Sequence, residues 1–502
     1  MSSLLQPPRG LSISCLPTEI LTEIMIIWAR VDVDAPWVAS LVSRLWRDIA
    51  LSTPQVWSRI WFSLKATSIV GKEEEFRCME DEDDVRGKAR PLSLWLERTG
   101  QLTELSLTIQ IDRNTIRPDR FTSYNISLIE TIAMFRGYMH RLTDFELIAD
   151  SSEIANYVVY SFLKATPPSR LSTLTIDCVP NSRAFDTERG WDLVVGGLWA
   201  ALDQAGFIKS LVLRGCLPPK PLPTPESASP SRITSLNLIG SSRLYHIESF
   251  LLPGIAACPA LEHLTIQHIS TIGPLPRDIP LHSLRCLHLH YLDPSALEVL
   301  LASIRAPHLH SLSIIQSRQI SATDGPKSET WRRVGKGFQR FAENSPSLEK
   351  LSLARIDILD VQLVAALGSL HWLRELCLRE LFVSRVALAP LSRLGTPLRA
   401  EVDTSIPRIT TVLCPHLERV RFERCPLLTG DMLCELVAAR SSASSTQKLL
   451  LLGVHKCNSV NSEDIAIVRQ VDSQLMVEYS PSSSIAVISG ALEHQISAVD
   501  LE

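Results

Sequence analysis

The residues best suited to chemistry are five histidines, His282, His288, His290, His308 and His310, gathered in one stretch of the chain. His288 and His290 are two apart, so a strand would carry both imidazoles on one face, where they could chelate a metal. The same pair is also what a solvated strand face looks like, and neither metal nor cofactor is expected. Eleven cysteines lie at irregular positions and no two form a C-x-x-C pair. None opens a helix from a glycine turn beside a base, as a thiolate nucleophile would. The chain also lacks G-x-x-x-x-G-K-[ST], H-E-x-x-H, G-x-S-x-G and G-x-G-x-x-G. A non-catalytic protein is therefore expected. Lys plus Arg number 50 against 54 Asp plus Glu, a formal charge of -4 over 502 residues. Neither a global basic field nor a local basic patch points to nucleic acid. The amino terminus lacks the pattern of a secretory signal, and apolar runs such as Ile24–Ala29 fall far short of the roughly 18 residues a membrane span needs. No membrane association is expected. The location is expected to be intracellular, cytoplasmic and/or nuclear, with reduced thiols.

What would hold such side chains in place is a pattern that returns from residue 102 onward: apolar residues at positions 1, 4 and 6 of a six-residue window. It runs from Leu102/Leu105/Leu107 to Leu417/Val420/Phe422, with a degenerate last copy at Leu450/Leu452. This is the strand motif of a leucine-rich repeat. Its middle leucines Leu236, Leu264, Leu287 and Leu312 are 28, 23 and 25 residues apart. Other intervals are longer and hold insertions. Helical stretches such as Ser295–Ile304 and Trp331–Phe341 fall between strands, so each repeat reads as a strand followed by a helix or irregular turn. Lead-ins such as Cys258-Pro259-Ala260-Leu261-Glu262 and Cys414-Pro415-His416-Leu417-Glu418 recur before the strands. Most copies lack the Asn or Cys the motif places after the strand, although Cys216 and Cys425 occupy that place, so the loops closing the strands are predicted to be irregular. Positions 4 and 6 face inward and 3, 5 and 7 outward. The outward set gives candidate target-binding residues: Thr265, Gln267, His288, His290, Ser313, Arg379, Arg421 and Glu423.

Ahead of the repeats, Pro17, Pro36 and Pro54 each open a short helical pattern. Ile20, Leu21, Ile24, Ile27 and Trp28 keep helical spacing in the first. Val38, Leu41, Val42, Leu45 and Ile49 do so in the second, and Val56, Trp57, Ile60 and Trp61 make up the third. About fifty residues cannot hide this much apolar surface among themselves, so a partner surface is implied. Leu16-Pro17-Thr18-Glu19-Ile20-Leu21, then Leu41-Val42-Ser43-Arg44-Leu45-Trp46-Arg47, then Pro54-Gln55-Val56-Trp57 resemble an F-box, most like those of mushroom-forming fungi. The resemblance implies docking on a Skp-type adaptor that links to a cullin and its RING subunit. By position it would place Leu16, Pro17, Ile20, Leu21 and Ile24 on the first contact face, Val42, Trp46 and Ile49 on the second helix, and Pro54 and Trp57 at the close.

The expected fold class is α/β: a small three-helix F-box at residues 14–62, then an acidic linker or insertion over 63–91. An irregular leucine-rich repeat solenoid would follow over 92–456, its parallel sheet on the concave face and helices and turns outside. A cap and loosely ordered tail would fill 457–502. The proline-rich stretch Leu217–Pro230 reads as a surface loop. An F-box ahead of such repeats resembles the substrate receptors of Skp, cullin, F-box ubiquitin ligases, whose repeats would hold an unknown target protein. The other reading is a repeat scaffold of the same fold that delivers nothing for ubiquitination.

Overall fold

Proline and serine decide where the N-terminal helices begin. In the computed structural model, which describes residues 13, 16–64, 92–101, 104–111, 135–149, 155, 158–159, 162, 169–178, 208–215, 232–240, 255–256, 258–269, 278–317, 329–392, 413–442 and 447–481, α1 spans Thr18–Val31 with Pro17 at its N-cap. Helix α2 spans Ala35–Val42 with Pro36 in its first turn. Helix α3 spans Arg44–Ser52, and the hydroxyl of Ser43 caps it by accepting the Trp46 N–H at 3.2 Å. The apolar spacing from Val38 to Ile49 had suggested one continuous helix. Ser43, extended at φ -158° and ψ 170°, breaks it in two.

The third helical pattern is only half a helix. Pro54–Trp57 form one 3₁₀ turn, and Arg59–Leu64 is a strand, β1. Trp57, Ile60 and Trp61 have helical spacing, but Ile60 and Phe62 are buried and Trp61 is exposed, which is the period-two pattern of a strand. β1 pairs in parallel with β2, Leu105–Ile111, from Arg59↔Ser106 to Leu64↔Ile111. Residues 63–64 therefore belong to the sheet, and the acidic run of the expected linker lies outside the described residues.

The chain forms two compact units, Met1–Ile233 and Thr234–Glu502. In the first, α4, Leu92–Arg98, precedes β2. Strands β3, Leu142–Ala149, β4, Thr173–Cys178, and β5, Ser210–Arg214, then follow β1 and β2 in chain order, all parallel. Burial alternates along each strand. Arg141 is buried and donates to the Thr99 carbonyl at 3.1 Å, tying the chain before β3 to the end of α4.

The second unit repeats the scheme more regularly. Its strands are β6, Ser235–Ile239; β7, His263–Gln267; β9, Cys286–His290; β11, Ser311–Ile315; β12, Lys350–Ala354; β13, Glu375–Arg379; β14, Arg419–Glu423; β15, Leu451–His455; and β16, Met476–Ser480. They lie in that order in one parallel sheet. The two-residue strands β8, Ile279–Pro280, and β10, Ile304–Arg305, pair with each other. Helices α5, Pro294–Ser303, α6, Glu329–Glu343, α7, Asp360–Ser369, α8, Arg385–Ser392, α9, Gly430–Ser442, and α10, Ser462–Val471, pack each against the next. Leu264, Leu287, Leu312, Leu351 and Leu376 form a buried row across neighbouring strands, each stabilising the fold by about 2 kcal/mol. The pattern is that of an α/β repeat architecture compatible with leucine-rich repeats.

Within the stretch expected to hold a cap and tail, Asn461 closes a capping box on α10 and β16 extends the sheet to Ser480; residues 482–502 lie outside the described residues. One expectation changes here: the loops closing the strands are regular. His268, Tyr291, Arg355, Glu380, Arg424 and Lys456, each just past a strand, all adopt φ near +55°. Each sends its N–H to the last carbonyl of the next strand, for example His268 to His290 at 3.1 Å and Arg424 to His455 at 2.8 Å. Gly240 takes the same bond to Gln267. A Cβ there would sit 2.5 Å from the His268 oxygen, so only glycine fits. Cys425, at the predicted motif position, is buried with its thiol directed at the Leu378 carbonyl, 3.3 Å away. Cys216 and the 217–230 loop lie outside the described residues. The one buried cation in the second unit's core among the described residues, Arg440, is 1% exposed and donates to the carbonyls of Leu391, Leu413 and Cys414. Burial holds its guanidinium down at about 10.

Candidate binding surfaces

The N-terminal helices divide their apolar side chains between an internal core and an open face. Leu21, Met25, Trp46, Ile49, Val56 and Trp57 are buried. Trp57 meets Trp37 edge to face at 4.9 Å and Trp95 of α4 at 6.4 Å, and the Arg98 guanidinium sits 4.6 Å above the Trp57 ring. The Trp57 indole donates to the Ala50 carbonyl at 2.7 Å, and the Trp95 indole donates to the Trp57 carbonyl at 3.0 Å. Burial lowers the Arg98 guanidinium from its usual range. This knot fixes the helices to α4 and β1.

Leu21, Trp46, Ile49 and Trp57 were expected on the contact face and are buried core residues instead, each at most 8% exposed. Leu16, Pro17, Ile20, Ile24 and Val42 are exposed, while Pro54 is half-buried. The open face is wider than the motif suggested. Ile20 at 49%, Ile27 and Val31 at 84% continue the α1 stripe at three- and four-residue steps, and Leu41 at 78% and Leu45 join from α2 and α3.

On the second unit the outward positions line up in rows across the sheet. Thr265, His288 and Ser313 share one row, and Gln267 and His290 share the next. His288 and His290 lie 5.8 Å apart, and Ser313 Oγ is 3.5 Å from His290 Nε2. Burial, then neighbouring imidazoles, lowers both histidines from their usual value. Farther along the sheet the face is ion-paired. Arg379 meets Glu423 at 3.3 Å, Arg421 meets Glu478 at 3.4 Å, and Arg355 and Arg424 both bond Glu380. All eight candidate target-binding residues face outward, but they fall in two zones, one of imidazole, amide and hydroxyl groups, one of paired charge. Cys286 shares the histidine face, with burial raising its thiol. Among the described residues no group of three or more His, Cys, Asp or Glu could hold a metal ion.

No protein-family model and no curated protein sequence matches the chain. Among solved structures it is similar to a Bacteroides fragilis protein determined by a structural genomics consortium. The likeness has 14% identity over 68% of this chain and 76% of that one, with a TM-score of 0.34. Overlap at that level carries no argument about the fold or the role of the chain. Among the described residues no helix is long and apolar enough to cross a membrane.

Three features escaped the sequence reading. Trp95 and Arg98 complete the tryptophan knot, and their only signal was a lone Trp in a seven-residue helix. The left-handed row at the strand exits is built from His, Tyr, Arg, Glu and Lys, none of which announces positive φ. The open face of β1 to β5 carries Arg59, Trp61, Asp144, Glu146, Asp177 and Arg214 at outward positions, of which Arg59 and Trp61 became visible only once β1 was known to be a strand.

Proposed function

We propose that the chain is a non-catalytic substrate receptor of a Skp, cullin, F-box ubiquitin ligase. The exposed stripe of α1, with Leu41, Val42 and Leu45, would dock a Skp-type adaptor, and the open sheet faces would hold the target. The observation that carries this reading is the unsatisfied apolar face on helices whose opposite side is already packed. The role is positional. A target held on the sheet, with adaptor, cullin and RING subunit fixed to the helices, raises the effective concentration of a target lysine near a charged conjugating enzyme. No bond would be made or broken on this chain.

Co-precipitation of a Skp-type adaptor and cullin tests it. The intact chain should recover both, and an Ile20→Glu, Ile24→Glu variant should lose at least tenfold of each with an unchanged circular dichroism spectrum. Both positions are exposed, so the change leaves the core alone. No recovery by the intact chain, or equal recovery by the variant, would leave the scaffold reading in place.

A further inference from the structure

The open face of the first unit holds a slot that neither the repeat motif nor the adaptor face explains. Trp61, Thr108 and Glu146 are neighbours in one row across β1, β2 and β3. Trp61 is 41% exposed, and Glu146 is half-buried. Thr108 between them is short and donates its hydroxyl to the Glu146 carboxylate at 3.1 Å. The indole and the carboxylate thus stand on strands about 9–10 Å apart with nothing bulky between them. The end of α1 walls the slot with Asp32, giving a cavity of about 340 Å³.

The lining holds two carboxylates, Asp32 and Glu146, against one cation, Arg59. Neither Asp32 nor Glu146 makes an ion pair with a described residue; Asp32 accepts the Asp34 N–H at 2.9 Å. The one cation in the lining, Arg59, turns its guanidinium to the Arg30 carbonyl at the end of α1. On the same face Arg214 is neutralised by Asp177 at 3.2 Å, while Asp144 adds another carboxylate. The excess of carboxylate in the lining favours a cation over an anion. A cation would find an indole, the strongest aromatic partner for positive charge, on a strand opposite a carboxylate. The row continues from Glu146 to Thr175, a short side chain that leaves room for a backbone alongside.

We propose that this slot seats an arginine or lysine side chain of a bound polypeptide between the Trp61 ring and the Glu146 carboxylate. The assignment names a ligand chemistry for the target-holding half of the receptor, and rests on that role only in taking the ligand to be a polypeptide.

Fluorescence anisotropy of the full chain tests it with two labelled dodecapeptides of glycine and serine, one carrying three arginines and the other three glutamates. The arginine peptide should bind and the glutamate peptide should not. Glu146→Gln, which keeps an acceptor for Thr108, and Trp61→Ala should each weaken binding roughly fivefold or more, with Trp61→Phe less affected. Glu463→Gln on α10 should change nothing. Thermal melts of each variant establish that it is folded. The proposal falls if the arginine peptide does not bind, if the glutamate peptide binds as well, or if folded Trp61→Ala and Glu146→Gln chains keep full affinity. No adaptor is in the mixture, so this outcome is independent of adaptor capture.

Discussion

His288 and His290 sit half-buried on the open sheet face with Thr265, Gln267 and Ser313 as row neighbours and the imidazoles of His263 and His268 nearby. No carboxylate is a direct row neighbour of either ring. Folded, both rings hold a proton less readily than in the unfolded chain, where the ordinary value is 6.5. The unfolded state therefore binds more protons at mildly acid pH, and stability rises with pH across that range. The contribution is fully present above 6.5 and is lost as pH falls through that value toward the lowered one. Calorimetric melting temperatures at pH 7.5 and pH 5.5 should differ more for the native chain than for a His288→Gln, His290→Gln variant. Equal differences would mean the pair does not titrate on unfolding.

At the scale of the element, the strand exits set an energetic contrast. A non-glycine residue in the left-handed region costs about 1–2 kcal/mol, and six of them recur after strands of the second unit. Lys456 is exposed, so Lys456→Gly should raise stability by up to about 1 kcal/mol, read from urea unfolding. Glu380→Gly removes the same strain but strands Arg355 and Arg424, which both bond its carboxylate. It should lower stability by about 1–3 kcal/mol despite the relief. A gain for both would mean that the ion cluster contributes nothing. These exits also show where sequence reading stops. The strands were legible because L-x-x-L-x-L states which side chains point inward, and their outward partners followed. β1 was hidden because Trp57, Ile60 and Trp61 satisfy helical spacing equally well. β16 was hidden because Met476-Val477-Glu478-Tyr479 carries no leucine template. The break at Ser43 is a capping event inside an unbroken apolar rhythm, and side-chain type alone does not set the sign of φ at His268 or Tyr291. At the candidate adaptor face the residue types were legible, but the split between core and surface was not, since it depends on Trp95 more than thirty residues downstream.

For the molecule as a whole, the N-terminal helices are not a detachable module. β1 follows the Pro54 turn directly and pairs with β2, and the Trp37, Trp57 and Trp95 knot spans helices and repeats within the first unit. A fragment of residues 14–64 should therefore show no cooperative thermal transition, while Trp95→Ala in the full chain should cost about 3–5 kcal/mol by chemical denaturation. A sharp transition in the isolated fragment would show that the helices need no support from α4. The strict agreement between chain order and sheet order bears on how the protein is made. Within each unit every strand of the main sheet after the first pairs with the strand before it in that sheet. As the chain leaves the ribosome, each new strand meets a completed edge and never has to wait for residues still to be translated. Folding can keep pace with synthesis, one repeat at a time, and each newly added strand covers the edge left by the one before it.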